Sequence, residues 1–437
     1  MTTPETVSPA ARPIQTTAQR IRSIVGGSIG NLIEWYDWLV YSAFSLYFAK
    51  AFFPGGDQTA QLLNTAGVFA VGYLMRPAGA VLMGVYADRK GRKAALAMSV
   101  GLMCIGSAMI AIVPGYKQIG ILAPVVLVLA RLMQGLSVGG EYGASATYLS
   151  EVATPKWRGF YSSFQYVTLQ GGQLIALLVL VVLQRIFLTP AQLDAWGWRI
   201  PFVLGTGFSI GGYFLISRMA ESQTFVAQQK TAVRINPLRA LMQHPKAVAR
   251  VAGMTIGGTV AIYTFTVYMQ KFLVNSAGLS KSESSVVSTC TLIFFIFLQP
   301  LIGALSDVIG RKPVLITFGL FGTLLTIPIM TAISQKPSLP AIIGLVCIGL
   351  VVVTGYTSVN AAAKAELFPT GIRALGVGLP YSVVVAVFGG STEYVGLSFK
   401  SAGHEEWFFW YVSACILISL VTYLFLPETR RSDLDKA

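Results

Sequence analysis

The sequence predicts an all-α polytopic membrane protein, with twelve transmembrane helices in two pseudo-symmetric six-helix bundles. Three observations predict it. Of 437 residues, 54% are hydrophobic and only 11% charged, with a mean hydropathy of +0.65; a soluble domain carries about 25% charged residues. The apolar residues fall into twelve runs, each near the roughly 20 residues that cross a hydrocarbon core as a helix. A motif after the second run, GVYADRKGRK from Gly84, recurs 219 residues later as GALSDVIGRK from Gly303, after the eighth run. The same composition excludes disorder. Cys104, Cys290, Cys347 and Cys415 lie one each in separate apolar runs without paired spacing, so they read as small core residues rather than a disulfide scaffold. The net charge of +14 does not indicate nucleic acid, because the basic residues sit in loops between spans rather than on one soluble face.

Residues 1–21 hold Arg12 and Arg20 among Pro, Ser and Thr, with no signal-peptide core, and read as a cytoplasmic tail. The first bundle is expected over 22–216, with spans at roughly 22–48, 62–86, 94–113, 122–148, 160–185 and 198–216. The polar stretch 217–249 is a cytoplasmic linker. The second bundle covers 250–427, with spans at roughly 250–274, 284–306, 313–333, 339–362, 374–397 and 407–427, before a cytoplasmic tail at 428–437. Twelve spans put both termini on one side. With the termini inside, inner segments carry 22 Lys/Arg and outer segments 8, which satisfies the positive-inside rule. Arg76 and Arg131 lie within spans. A weaker echo of the repeat sets Glu151 and Arg158 after the fourth span, and Glu366 and Arg373 after the tenth, each pair seven residues apart. Matched halves of this kind imply a transporter with its substrate held at mid-membrane between them.

The repeated loop resembles the hallmark of the major facilitator superfamily, G-x-x-x-D-R/K-x-G-R-R/K. Gly84, Asp88, Arg89, Gly91, Arg92 and Lys93 match it, while the second copy departs at Val308. Five further segments, GNLIEWYDWLVY (30–41), TAGVFAVGYLMRPAGA (65–80), ARLMQGLSVGGEYGAS (130–145), FQYVTLQGGQL (164–174) and KAELFPTGIRALGVGLPYS (364–382), resemble the metabolite:H+ symporters. Within that family the α-ketoglutarate permeases are nearer than the shikimate, citrate or proline/betaine transporters. The resemblance covers essentially the whole chain. It implies the major facilitator fold and proton symport of a small carboxylate, α-ketoglutarate or a related dicarboxylate, across a bacterial inner membrane. It implies no enzyme, no cofactor and no metal. The expected partners are the carboxylate, protons and the lipid bilayer, with no nucleic acid, and the expected state is a monomer.

Ionisable residues inside a membrane are functional candidates because burying them is costly. On the first span Glu34, Asp37 and Tyr41 fall within about 60° of one another. On the fourth, Arg131, Gln134, Val138 and Tyr142 share a face, with Ser145 beside them. At 1.5 Å per residue, Asp37 and Arg131 lie roughly 15 Å below the outer surface, and Glu34 and Arg76 roughly 21 Å below it. Two acid–base pairings are therefore available. In the functional reading Arg76 or Arg131 receives substrate carboxylate, for which a planar fork is suited, while Glu34 or Asp37 carries the proton and Glu141 is a further titrating candidate. Pro77 beside Arg76 weakens the helix there. The competing reading makes these static pairs that lock helices together. Gln165, Tyr263, Asn360 and Tyr381, with Tyr161, Thr168, Thr266 and Gln270, are either substrate donors or interhelical glue.

Lys271 and Glu393, near outer span ends, are candidates for an outer gate or for plain interfacial charges. Asp88, Arg89 and Arg92, with their repeat partners Asp307 and Arg311, read as inner-gate elements in which the aspartate sits at a helix N-terminus in the closed state. His244 and His404 are loop residues, and Trp196, Trp198, Trp407 and Trp410 fit an aromatic belt. An exporter or antiporter on the same fold is the main alternative, but the fifth span, TLQGGQLIALL, lacks the Gly-Pro pair of such antiporters. A membrane enzyme finds no nucleotide or metal motif, and a sensor finds no soluble domain.

Overall fold

A chain in lipid has to close every backbone N–H and C=O within itself, and a helix does so locally. The computed structural model describes residues 17–139, 146–147, 149–150, 153, 155–217, 241–369 and 372–430. Among them no strand occurs and twelve long helices follow one another. The first six are α1 (Thr17–Phe52), α2 (Gln58–Lys90), α3 (Arg92–Ile112), α4 (Leu122–Val138), α5 (Arg158–Phe187) and α6 (Ile200–Ser217). The second six are α7 (Pro245–Asn275), α8 (Lys281–Ile309), α9 (Arg311–Ser334), α10 (Leu339–Ala365), α11 (Arg373–Ser401) and α12 (Glu405–Leu424). Nine of these are long and apolar enough, as described, to cross a membrane; α1, α4 and α6 are the other three. Most of the expected linker lies outside the described residues.

Local chemistry sets the helix ends. Asp57 accepts the Ala60 N–H at 2.8 Å to start α2, and Ser280 with Glu283 forms a reciprocal cap at the start of α8. The repeated motif has one backbone solution in both copies. Gly91 ends α2 and opens α3 at φ 99°, and Gly310 ends α8 and opens α9 at φ 104°. A side chain there would be strained, so only glycine serves.

Packing repeats too. In the first half α1 lies on α5, α2 on α4, and α3 on both α4 and α6; in the second α7 lies on α11, α8 on α10, and α9 on both α10 and α12. The bundles meet along two seams, α5 with α8 and α2 with α11. Under the repeat α2 corresponds to α8 and α5 to α11, so the two seams are one contact made twice. Since an apolar solvent does not drive apolar helices together, close backbone approach has to do it. At the α2/α4 contact a Cβ on Gly135 would stand 2.0 Å from the Gly72 carbonyl oxygen, and one on Gly139 would stand 2.1 Å from that of Arg76.

Two expectations from sequence are corrected. Trp198 is not a belt residue: the turn Gly197–Arg199 tucks its ring, fully buried, against Phe48, Phe52 and Phe202. Trp196, Trp407 and Trp410 are exposed. Of the cysteines only Cys415 is buried, and Cys290 faces outward from α8.

Gly135→Val tests the α2/α4 contact. Overpacking typically costs about 1–3 kcal/mol, so this variant is expected to melt lower and purify in lower yield. Gly101→Ala, where an added Cβ meets nothing within 4 Å, is expected to match the wild type.

Candidate functional site

The side of the bundle where α1 begins and α12 ends is the termini side, and the opposite one is the far side. Between the halves lies a narrow central cleft whose polar lining includes Gln170 and Gln173 of α5, Thr259, Tyr263 and Thr266 of α7, and Tyr381 of α11. Backbone irregularity marks its walls. Tyr263–Tyr268 in α7 and Val385–Gly389 in α11 are π-helical turns, a form enriched at functional sites. Gln173 donates to the Thr266 carbonyl at 2.8 Å, and the Tyr73 hydroxyl of α2 and the Tyr263 hydroxyl of α7 share a hydrogen bond of 2.5 Å.

One turn along α2 from Tyr73 stands Arg76, fully buried. Its guanidinium carbon is 5.3 Å from the Trp35 ring and 5.2 Å from the Tyr73 ring, and among the described residues none of its three nitrogens has a hydrogen-bond partner. Ring faces attract a cation but offer no lone pairs, so the donors of the fork remain unused. Pro77 contributes by withholding an N–H from the preceding turn.

Arg131 is different. It lies 3.9 Å from the Trp38 ring and 4.5 Å from that of Tyr41, and it donates to the Trp38 carbonyl and, at 2.8 Å, to Gln134 Oε1. Gln134 donates to Ser107 at 2.9 Å, Ser107 to Asp37 Oδ1 at 2.9 Å, and Ser209 to Asp37 Oδ2 at 2.7 Å. Every link points from the cation toward the carboxylate, an order in which hydrogen bonds reinforce one another. The expected Asp37–Arg131 pairing is thus a relay through two neutral side chains. Glu34 accepts from Ser137 at 3.2 Å, and among the described residues it forms no ion pair with Arg76. Tyr41 donates to the Thr65 carbonyl at 3.0 Å, within the first half. Gln165 is buried on α5. Glu141, Tyr142 and Ser145 lie outside the described residues.

Charged clasps cross the seam on both sides of the cleft. On the far side Lys271 Nζ is 3.4 Å from Glu393 Oε2 and donates to the Ser42 carbonyl at 2.7 Å, while the Ser42 hydroxyl donates to Glu393 at 3.0 Å. α1 of one half is therefore tied to α7 and α11 of the other. On the termini side Asp307 accepts the Gly159 and Phe160 N–H groups at 2.8 and 2.9 Å, which puts a carboxylate at the N-terminus of α5. Arg311 donates to the same Asp307 at 2.8 Å, and Arg158 pairs with Glu366 at 3.0 Å. Burial pushes the Glu366 carboxyl up against the opposing pull of Arg311, Thr429 and Arg158. The side chains of Asp88, Arg89 and Arg92, and all of Glu151, lie outside the described residues.

Sequence reasoning missed Lys364. With the tenth span ended at 362 it counted as a loop charge, yet α10 resumes after a break at Ser358–Val359 and carries Lys364 fully buried. Its Nζ donates to the Tyr356 hydroxyl at 3.0 Å and to Asn360 Oδ1 at 3.1 Å, and lies 4.7 Å from the Tyr381 ring centroid. Pro369 is the signal that could have found it, because a proline ends a helix only a few residues ahead of itself. Asn360 itself donates to the Tyr356 and Thr357 carbonyls across that break.

Residues 24–235 match the family described as sugar (and other) transporter, and residues 251–437 match the Major Facilitator Superfamily. The chain is 51% identical to the alpha-ketoglutarate permease of Escherichia coli over 94% of both chains. It is 34% identical to a citrate-proton symporter of Klebsiella pneumoniae over 85% of this chain and 84% of the other. In three dimensions it is similar to the partially occluded, inward-open xylose transporter XylE of E. coli, with a TM-score of 0.72 at 19% identity over 96% of this chain and all of that one. This multi-pass membrane protein belongs to the major facilitator superfamily, in its metabolite:H+ symporter branch, whose members here are transporters rather than enzymes.

Proposed function

We propose that the chain is a proton-coupled symporter that imports a small carboxylate, α-ketoglutarate or a related dicarboxylate, by alternating access. The observation that carries the proposal is Arg76: a fully buried guanidinium at the seam whose donors find no hydrogen-bond partner among the described residues. A carboxylate supplies the missing acceptors and the missing charge together. Identity to a named alpha-ketoglutarate permease supports the substrate class. In this reading Tyr263 and Tyr381 contact the substrate beside Arg76, Gln165 and Asn360 add donors, and Arg131, Gln134 and Tyr41 hold the wall behind it. Asp37 and Glu34 carry protons, with Glu141 a third candidate. The protein acts as a monomer in a bacterial inner membrane. Its termini side is cytoplasmic, and the bundles are 22–216 and 250–427, joined by the linker 217–249.

Proteoliposomes with an imposed pH gradient test the proposal. Labelled α-ketoglutarate is expected to accumulate when the outside is acidic. Arg76→Ala is expected to raise KM about 10- to 100-fold or abolish uptake, as loss of a charged hydrogen bond worth about 1.5–3 kcal/mol predicts. Arg131→Ala is expected to lose uptake through collapse of the Asp37 relay. Accumulation driven by an outward proton flux would identify an exporter instead.

The clasps are the gates in this scheme. Removing one partner of a buried ion pair costs about 3–5 kcal/mol, whereas an apolar replacement of both is often tolerated. Lys271→Met alone is therefore expected to lower the melting temperature more than Lys271→Met with Glu393→Leu. Asp307→Asn is expected to raise the reactivity of cysteines placed on the termini side.

Charge sets the stoichiometry. A dicarboxylate carries about two negative charges at neutral pH, and a negative interior opposes entry by about 2.3 kcal/mol per charge per 100 mV. At least two protons per dianion are expected. Reversal potentials measured for the wild type, Glu34→Gln and Asp37→Asn check this: net inward negative charge in the wild type, or unchanged pH-driven accumulation in both variants, removes the two acids from the mechanism.

A further inference from the structure

The π-helical turns of α7 and α11 both lead to one side chain of the first bundle. Tyr73 of α2 is fully buried, and its hydroxyl meets that of Tyr263, the first residue of the α7 turn, at 2.5 Å. The two rings stand edge to face with centroids 5.6 Å apart. From α11, Gly390 follows directly on the turn Val385–Gly389, and a Cβ there would lie 2.3 Å from the Tyr73 Cβ. Only glycine lets α11 come this close. Within its own bundle the Tyr73 ring lies 5.2 Å from the Arg76 guanidinium carbon and packs edge-on against Trp38, with centroids 4.8 Å apart. Contacts therefore run unbroken from the cleft to the arginine: Tyr263 lines the cleft and bonds Tyr73, and Tyr73 faces Arg76.

We infer that Tyr73 is the positioning residue that ties the substrate arginine to the second bundle: its ring holds the Arg76 fork, and its hydroxyl latches that arrangement to α7 where the bundles close on the cleft. The inference rests on the proposed symport reading and adds to it a physical link between the substrate cation and closure. Ring and hydroxyl have separate tasks. The attraction of a ring face for a cation needs nothing from the second bundle, so it acts in every state of the cycle. The hydroxyl bond and the Gly390 contact need α7 and α11 in place, so they act only where the halves meet. Only an interaction that differs between two states shifts the equilibrium between them.

The test separates affinity from turnover, with calorimetry of α-ketoglutarate on the purified protein and uptake into proteoliposomes under a pH gradient. Tyr73→Phe keeps the ring, and is expected to hold the dissociation constant within about 3-fold while the maximal rate falls about 3- to 10-fold, the size of one lost hydrogen bond. Tyr263→Phe removes the same bond from the other side, so the double variant is expected to be no slower than Tyr263→Phe alone. Tyr73→Leu removes the ring as well and is expected to weaken binding about 10-fold or more. An unchanged maximal rate in Tyr73→Phe, a double variant slowed by the product of the two single effects, or equal loss of affinity in Tyr73→Phe and Tyr73→Leu overturns the inference while the symport reading stands. The phenylalanine variants each delete one oxygen, so their cycle decides the question even where Tyr73→Leu does not fold. A wild type that carries no dicarboxylate with protons overturns both.

Discussion

A cation inside a bilayer must be compensated, and that constraint organises this molecule. Lys271 is met by Glu393, Arg311 by Asp307 and Arg158 by Glu366. Arg131 is met by aromatic faces and by an oriented relay that ends on Asp37. Arg76 is met by the ring faces of Trp35 and Tyr73 and, among the described buried arginines, is the one with no hydrogen bond at any of its three nitrogens. Compensated cations hold helices in place. On the proposed reading, a cation left with its donors idle, beside a cleft between two bundles, takes its partner from outside the chain.

The seam contacts follow from the duplication. Because α2 corresponds to α8 and α5 to α11, a device at the end of α8 against α5 has a counterpart position at the end of α2 against α11. Asp307 on the α5 N-terminus occupies the first of these. The glycines at φ 99° and 104° show that the backbone of both copies is the same. The far side has no such motif. There Ser42, Lys271 and Glu393, which no repeat relates, tie the two halves together. On the proposed reading, two ends held by different chemistry can be opened by different events.

The fold was almost wholly legible from the sequence, because twelve apolar runs and a repeated ten-residue motif leave little freedom in a bilayer. Charged residues were legible for the same reason: few occur in spans, so Arg76, Arg131, Asp37 and Glu34 stand out. Their partners were not. Gln134 was placed on the face of Arg131, but Ser107, Ser209 and Ser42 make the other decisive links, and serines are common in membrane helices and usually bond their own preceding turn, so nothing in their spacing distinguishes them. Lys364 was lost for a different reason. The break at Ser358–Val359 interrupts α10, and a span judged by apolar length stops where the helix merely pauses.

In the simplest coupling scheme, substrate displaces an acid from an arginine and so frees it to take a proton. Among the described residues the geometry holds no such bond, since Glu34 bonds Ser137 and Asp37 bonds Ser107 and Ser209. What the proton and substrate candidates share is α1. Trp35 forms one wall of Arg76, Trp38 forms one wall of Arg131, and Asp37 lies between these tryptophans in sequence. Seven residues beyond Trp35 on the same helix, Ser42 carries the far-side clasp. On the proposed reading, protonation of Asp37 removes the charge that aligns Ser107, Gln134 and Arg131, and with it the interaction that fixes α1 against α3, α4 and α6. A helix is stiff over three turns, so a shift at Asp37 reaches Trp35 and Ser42 together. One element then links the proton site, the substrate cation and the far clasp, and coupling requires that α1 move rather than that any two of them touch.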